Sequence, residues 1–375
     1  MKKINRLLFR VKRKMRKKLK DVDLFRQYLS RRSERSGSAG EKSVWIDLHG
    51  NSYVRYLYIL VKYFEAEGYR VYLNENLPFL LSLGDDYSRF IVEECSVRFS
   101  SKVPDGALVF SDRPNRSAHA TISNDYFLQW PAEGEGHYHI PIGMHPFMYK
   151  YGYWNAPYDD SQRKRSVFFA GNFDATDYKI FSSTGNFRML DRLAISEQVC
   201  ALKQCRFPQS EVVLRSGFSD GVIDIVDKKN FSIDQRDLRG IIAQYSFFIA
   251  CPGVFMPLSH NIYEAMSVGT IPIIHEEYAA LFAPALQDGV NAVVFHNGNF
   301  SEKLQAALAL DTHTVAGMVE QVKQYYERYC TPKAIVAALA SGQYSQVYLN
   351  AEKTSIRLLT ARQAKLRTRQ LPVAA

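Results

Sequence analysis

The segment Ser246–Ile274, SFFIACPGVFMPLSHNIYEAMSVGTIPII, restricts the fold more than any other part of the chain. An apolar run, Phe247-Phe248-Ile249-Ala250, ends in Cys251-Pro252-Gly253. After a short loop a helical pattern runs from Ser259 to Val268 and closes at Gly269, and Ile271-Pro272-Ile273-Ile274 is a second apolar run. Strand, loop, helix and strand in this order build parallel sheets, because a parallel neighbour needs a crossover connection. Ser259 suits an N-cap and Gly269 a helix C-terminus. The helix then begins at the carboxyl end of a strand, where free amides and the helix dipole favour an anion such as a diphosphate. Glu264 falls about one turn further in, placed to accept hydrogen bonds from hydroxyl groups.

The same alternation recurs before and after this segment. Ser43–Leu48 reads as a strand ending in His49-Gly50-Asn51, Ser52–Glu67 as a helix with Tyr53, Tyr56, Leu57, Leu60 and Phe64 on one face, and Tyr69–Leu73 as a second strand. Strand, helix, strand with short connections predicts a right-handed parallel crossover. Further strands are expected at Arg89–Val92 and Ala107–Phe110, then a strand over Tyr138–Pro146 that breaks at Gly143, then an irregular aromatic connector over Tyr149–Lys164. A second unit opens with the strand Ser166–Asn172. It continues with a helical pattern over Phe187–Leu202 carrying Arg188 and Arg192, a strand at Val212–Leu214 with Arg215 at its end, and a short helix at Leu238–Gln244. Ala292–Phe295 reads as a strand, and Ser301–Ala309 and His313–Tyr329 as helices. A chain of 375 residues exceeds what one core usually fills. The division is a basic segment and linker at 1–40, an N-terminal domain at 41–150, a C-terminal domain at 160–330, and a helix with a basic tail at 331–375.

Charge and cysteine usage exclude several classes. The net charge is +10, yet residues 1–36 carry 15 Lys/Arg against Asp21, Asp23 and Glu34, a balance of +12 that leaves −2 on the other 339 residues. The basicity belongs to the tail, and no nucleic-acid-binding signature accompanies it in the body, so nucleic acid is not an expected partner. Within Met1–Leu29 the residues Ile4, Leu8, Val11, Met15 and Leu19 form an apolar stripe flanked by Lys and Arg. That pattern is a basic amphipathic helix suited to the surface of an anionic membrane, followed by a flexible linker at Arg31–Gly40. Residues 351–375 add six Lys/Arg against one Glu. Five scattered cysteines fit a reduced compartment better than a disulfide framework. With no spanning apolar run and no signal-peptide pattern, the expected location is cytoplasmic, on the inner face of the membrane.

Cys251-Pro252, the loop after it, Glu264-Ala265-Met266, Gly269 and Ile271-Pro272-Ile273 resemble the donor-site segment of two-domain glycosyltransferases of the GT-B type, nearest to the exostosin-like group. The resemblance is close over Ser246–Ile274, and looser agreement in element order extends it along the chain. It implies two Rossmann-like, doubly wound α/β domains facing a cleft, behind the basic N-terminal helix. The implied activity is transfer of a sugar from a nucleotide-activated donor to a hydroxyl of a surface glycan or lipid-linked acceptor. In that family the glutamate at the position of Glu264 holds the ribose or donor sugar. The retaining branch often has a second glutamate eight residues earlier; that position is Met256 here, which favours inversion.

Such a transfer needs a base for the acceptor and stabilisation of the departing nucleoside phosphate. No metal is expected, so the second task falls to backbone amides and cations. The donor-side candidates are Gly171 and Asn172 after the strand Ser166–Asn172, Arg215, and Ser259-His260-Asn261 with Glu264. Asp112 and His49, followed by Asp47, are the candidate bases at strand ends, and Asp125 is a further carboxylate that could instead cap a turn. Cys251 reads as a small core residue, since no base accompanies it. Asp85-Asp86 and Asp159-Asp160 superficially suggest a metal pair, but neither follows an apolar strand. A non-catalytic nucleotide- or glycan-binding protein on the same fold remains open. A dinucleotide-dependent enzyme is disfavoured, because His49-Gly50-Asn51-Ser52 offers one glycine where G-x-G-x-x-G is required.

Overall fold

In the computed structural model, residues 22–24, 26–30, 42–49, 54–74, 86–113, 117–130, 136–173, 178, 181, 185–216 and 219–370 are described. Most of the expected basic helix at 1–29, the linker at 31–40 and residues 371–375 lie outside them.

The strands are β1 (Ser43–Asp47), β2 (Arg70–Leu73), β3 (Val97–Phe99), β4 (Leu108–Ser111), β5 (Ala120–Ser123), β6 (His137–His139), β7 (Lys164–Gly171), β8 (Cys205–Arg206), β9 (Ile223–Asp227), β10 (Tyr245–Ile249), β11 (Ile271–His275), β12 (Val293–Phe295) and β13 (Gln346–Tyr348). The helices are α1 (Val54–Ala66), α2 (Asp86–Glu93), α3 (Pro146–Lys150), α4 (Arg192–Cys200), α5 (Glu211–Ser216), α6 (Gln235–Ala243), α7 (His260–Met266), α8 (Glu276–Ala279), α9 (Phe300–Ala309), α10 (Thr312–Tyr329), α11 (Pro332–Ala340) and α12 (Lys353–Gln370). They build two sheets, ordered β3-β2-β1-β4-β5-β13-β6 and β12-β11-β10-β7-β9-β8. Every strand pairing in both is parallel. The fold is therefore α/β, with two Rossmann-like domains facing each other across a cleft.

The central strands are apolar throughout because helices cover both faces of a parallel sheet. All five residues of β10 and of β11 are buried, and Phe247 and Phe248 pair in register with Ile271 and Pro272. The helix α1 buries nine of its residues, from Val54 to Phe64. Gly143 has φ 68°, and a Cβ there would stand 2.1 Å from the Tyr63 hydroxyl oxygen. Only glycine permits this bend. It aims the chain at the cleft just before α3.

The structure corrects four local expectations. Arg89–Val92 belongs to the helix α2, whose Ser88, Ile91 and Val92 share the buried side, a 3.6-residue pattern rather than a two-residue one. Val212–Leu214 belongs to α5, where Leu214 alone is buried. The stretch Tyr138–Pro146 is strand only to His139, and its Pro146 is the first residue of α3. The C-terminal stretch is not only helical: β13 inserts between β5 and β6, pairing with both. At the other end of the same sheet, residues 26–30 are helical, and the buried Tyr28 hydroxyl donates to the Val97 carbonyl of the edge strand β3 at 3.2 Å.

Candidate functional site

A cavity of about 920 Å³ opens between the two domains. Carboxyl ends of parallel strands supply much of its wall, as expected for open α/β sheets. One side holds Arg55 and Tyr56 of α1, His145, and Glu352 and Lys353 at the start of α12; the other holds Gly171, Asn172, Arg192, Lys228 and the residues around α7.

Glu264 lies in the second turn of α7 and is 1% exposed. Its Oε1 accepts the backbone N–H of His145 from the opposite domain at 3.0 Å, and lies 2.9 Å from Nδ1 of His260. Burial pushes the carboxyl pKa up, but His260 and the His145 amide outweigh it and hold it below its ordinary value. Glu264 is thus an ionised, buried carboxylate, and His260 Nδ1 is the donor in that pair. The His145 and His260 rings stand 4.9 Å apart, edge to face. Burial, then the nearby His260 and Arg55, push the His145 pKa down to about 3, so its ring is neutral at neutral pH. His145 Nδ1 accepts the Phe147 N–H at 3.3 Å as the N-cap of α3, which leaves the ring proton on Nε2.

Ser259 occupies the N-cap position of α7 with extended backbone, but its side chain makes no capping bond. Its N–H donates instead to the Tyr278 hydroxyl at 2.8 Å. Asn261 is 7% exposed and its Oδ1 has no hydrogen-bond partner among the described residues. Both residues line the cavity with His260.

Gly171 closes β7 on the same wall. A Cβ there would meet Arg192 Nη1 at 2.9 Å and the Phe169 ring at 3.0 Å, so the missing side chain makes room for the guanidinium. Arg192 is the first residue of α4, behind an N-cap formed by Asp191 accepting the Ala194 N–H at 2.9 Å. It is 5% exposed, donates to the carbonyls of Asn172 at 3.1 Å and Pro252 at 3.2 Å, and lies over the rings of Phe169 and Tyr178. No ion pair holds it among the described residues. The sequence reading placed Arg192 on a helix without a role; the Asp191 cap is the signal that puts it at the helix start, beside the loop after β7. Four cations (Arg55, Arg192, Lys228, Lys353) against two carboxylates (Glu264, Glu352) line the cavity, a balance that favours an anionic ligand.

Other candidates stand elsewhere. Arg215 is on the exposed helix α5, tied to Glu211 at 2.7 Å and Asp237 at 3.2 Å, and does not line the cavity. Asp47, His49 and Asp112 do come together at the carboxyl end of the first sheet. Asp47 Oδ1 is 2.7 Å from His49 Nε2 and accepts Asn74 Nδ2 at 2.5 Å, while the His49 N–H donates to Asp112 Oδ2 at 2.8 Å. None of the three lines the cavity. Asp125 is ion-paired with Arg362 of α12, a structural tie. Asp160 is paired with Lys323 at 2.7 Å, and no cluster of metal-ligating groups occurs among the described residues. Cys251 is fully buried, with its thiol pushed up to about 12 by burial, as a core residue is.

No family model and no curated protein matches the sequence. Solved structures of Anabaena HepE, in complex with UDP and glucose, with UDP-glucose and with UDP, are similar to this chain at 12–13% identity. The likeness covers 80% of this chain and 98% of theirs, with TM-scores of 0.37–0.39, values too low for any residue role to pass from those proteins to this one.

Proposed function

We propose that the protein is a glycosyltransferase that moves a sugar from a nucleotide-activated donor to an acceptor hydroxyl, with inversion and without a metal. The observation that carries this reading is Arg192: a buried guanidinium with no ion pair among the described residues, on the same wall of the interdomain cavity as the buried carboxylate Glu264. A buried cation is costly without an anion, and a diphosphate satisfies it with charge-assisted bonds. Glu264, held by His145 and His260, is placed for the hydroxyls of the ribose or donor sugar. In the reaction the bond from the anomeric carbon to the nucleotide oxygen breaks, and the acceptor oxygen forms the new bond and gives its proton to a base. Charge on the leaving phosphate is met by Arg192 and Lys228. Of the groups lining the first-domain side, Glu352 is the proton acceptor, in place of Asp47, His49 and Asp112.

The same reading takes a surface glycan or lipid-linked acceptor, with residues 1–29 holding the protein to the inner face of an anionic membrane. Thermal-shift screening against UDP-, GDP-, CMP- and dTDP-sugars tests it. One nucleotide class at about 100 times its Kd is expected to add about 2.7 kcal/mol of stability. Stabilisation by NAD alone, or by none of these, overturns it.

A further inference from the structure

We infer that the acceptor is an oligosaccharide chain lying along a line of aromatic rings that leaves the cavity at His145 and crosses α2 and α3 to Tyr151 and Tyr153. The inference rests on the glycosyl-transfer reading above and assigns the class and path of its acceptor.

The line is continuous with the cavity wall. From His145 the ring centroids step 4.9 Å to Phe147, 5.9 Å to Tyr151 and 5.8 Å to Tyr153. Phe90 of α2 lies 5.6 Å from Phe147, and Tyr87 lies 5.6 Å from Phe90 and 6.5 Å from His145. Phe147 and Tyr151 are four residues apart and so share one face of the α3 turn. Gly152, at φ 72°, lets the chain turn so that Tyr153 stands beside Tyr151. Tyr87, Phe90, Phe147 and Tyr153 are half-buried, and Tyr151 is 56% exposed.

The chemistry of the line selects a carbohydrate. A pyranose has an apolar C–H face and a rim of hydroxyls, and each step along the line is about the length of one such ring. Polar groups stand among the rings: the hydroxyls of Tyr87, Tyr151 and Tyr153, and Lys150, whose ammonium lies over the Phe90 ring 3.5 Å from its centroid and donates to Glu93 at 3.3 Å. An acyl or isoprenoid chain calls for unbroken aliphatic surface. From His145 to Tyr153 the aliphatic side chains are Pro146 and Met148, both buried.

The test titrates a series of linear oligosaccharides of glucose, galactose and N-acetylglucosamine, from monosaccharide to hexasaccharide, into wild type, Tyr151→Ala and the double variant Tyr151→Ala, Tyr153→Ala. Wild type is expected to bind one series more tightly as the chain lengthens. The double variant should lose that gain, about tenfold or more, with monosaccharide affinity unchanged. Nucleotide-sugar stabilisation should match wild type in both variants, since neither side chain lines the cavity; failure of that stabilisation in wild type rejects the glycosyl-transfer reading itself. No gain with chain length in any series, or the same gain in the double variant, overturns the inference. So does a double variant that binds glycans normally but loses binding to phosphatidylglycerol vesicles, which would make the line a membrane-facing surface.

Discussion

Arg192 and Glu264 are the two buried charged groups on the second-domain wall of the cavity, and they differ in how far the sequence reveals them. Glu264 follows from local rules: a helix that begins just after a strand fixes which turn faces the cleft. His260, Asn261, Gly171 and Asn172 are legible for the same reason, and all line the cavity. Arg192 depends on a tertiary contact, the close approach of α4 to Gly171, and Arg215 was misassigned because two exposed valines, Val212 and Val213, imitate a strand on the surface helix α5. His145 was hidden in a stretch read as strand, because its partner Glu264 lies 119 residues away. Replacing Arg192 by Met removes the cation while keeping bulk and apolar contact. The apo protein is expected to melt within a few degrees of wild type, because a buried charge with no ion pair among the described residues is a poor stabiliser. Nucleotide-sugar Kd should rise by about tenfold or more with loss of the charge-assisted bonds. Calorimetric titration checks this, and an unchanged Kd contradicts the role given to Arg192.

Elements with one clear period were legible, and short ones were not. The unit β10, α7, β11 could be read directly, whereas β13 is three residues in the polar stretch Ser341–Asn350, made a strand by β5 and β6 on either side. Beside it, His139 of β6 lies 4.4 Å from the Tyr348 ring and 4.2 Å from Trp130. Burial pushes its pKa down to about 4. In the unfolded chain an imidazole titrates near 6.5, so below that pH the unfolded state binds a proton that the folded state refuses. Stability therefore falls as pH drops from 6.5 towards 4, by on the order of 1.4 kcal/mol per unit at most. His145 acts in the same direction down to about 3. Urea midpoints measured across pH 4 to 6.5 should fall less steeply for His139→Gln than for wild type. Equal slopes would show that His139 titrates alike in both states.

At the scale of the molecule, the chain begins and ends its fold in the same domain. After α10 and α11 it returns to complete the first sheet with β13, and Asn350 donates to the sulfur of Met256 at 3.2 Å across the cleft. The Ser355 hydroxyl donates to the Asn124 carbonyl at 2.7 Å, tying α12 to the strand ends of the first domain. A chain ending at Gly342 lacks β13 and leaves β5 and β6 with unpaired backbone. Limited proteolysis is expected to cut its first domain within the time that wild type resists, and equal resistance would remove β13 from the structural account. The two-domain parallel architecture was legible because each sheet is built from repeated apolar runs with short connections; the closing strand was not, because its pairing spans 225 residues. The most direct test of the central claim is transfer itself. Labelled nucleotide sugars are incubated with glycan acceptors and either wild type or Glu264→Gln, with circular dichroism confirming an unchanged fold. Wild type should form glycoside and Glu264→Gln should be slower by about a hundredfold or more; full activity in the variant, or no glycoside from wild type, would contradict the account.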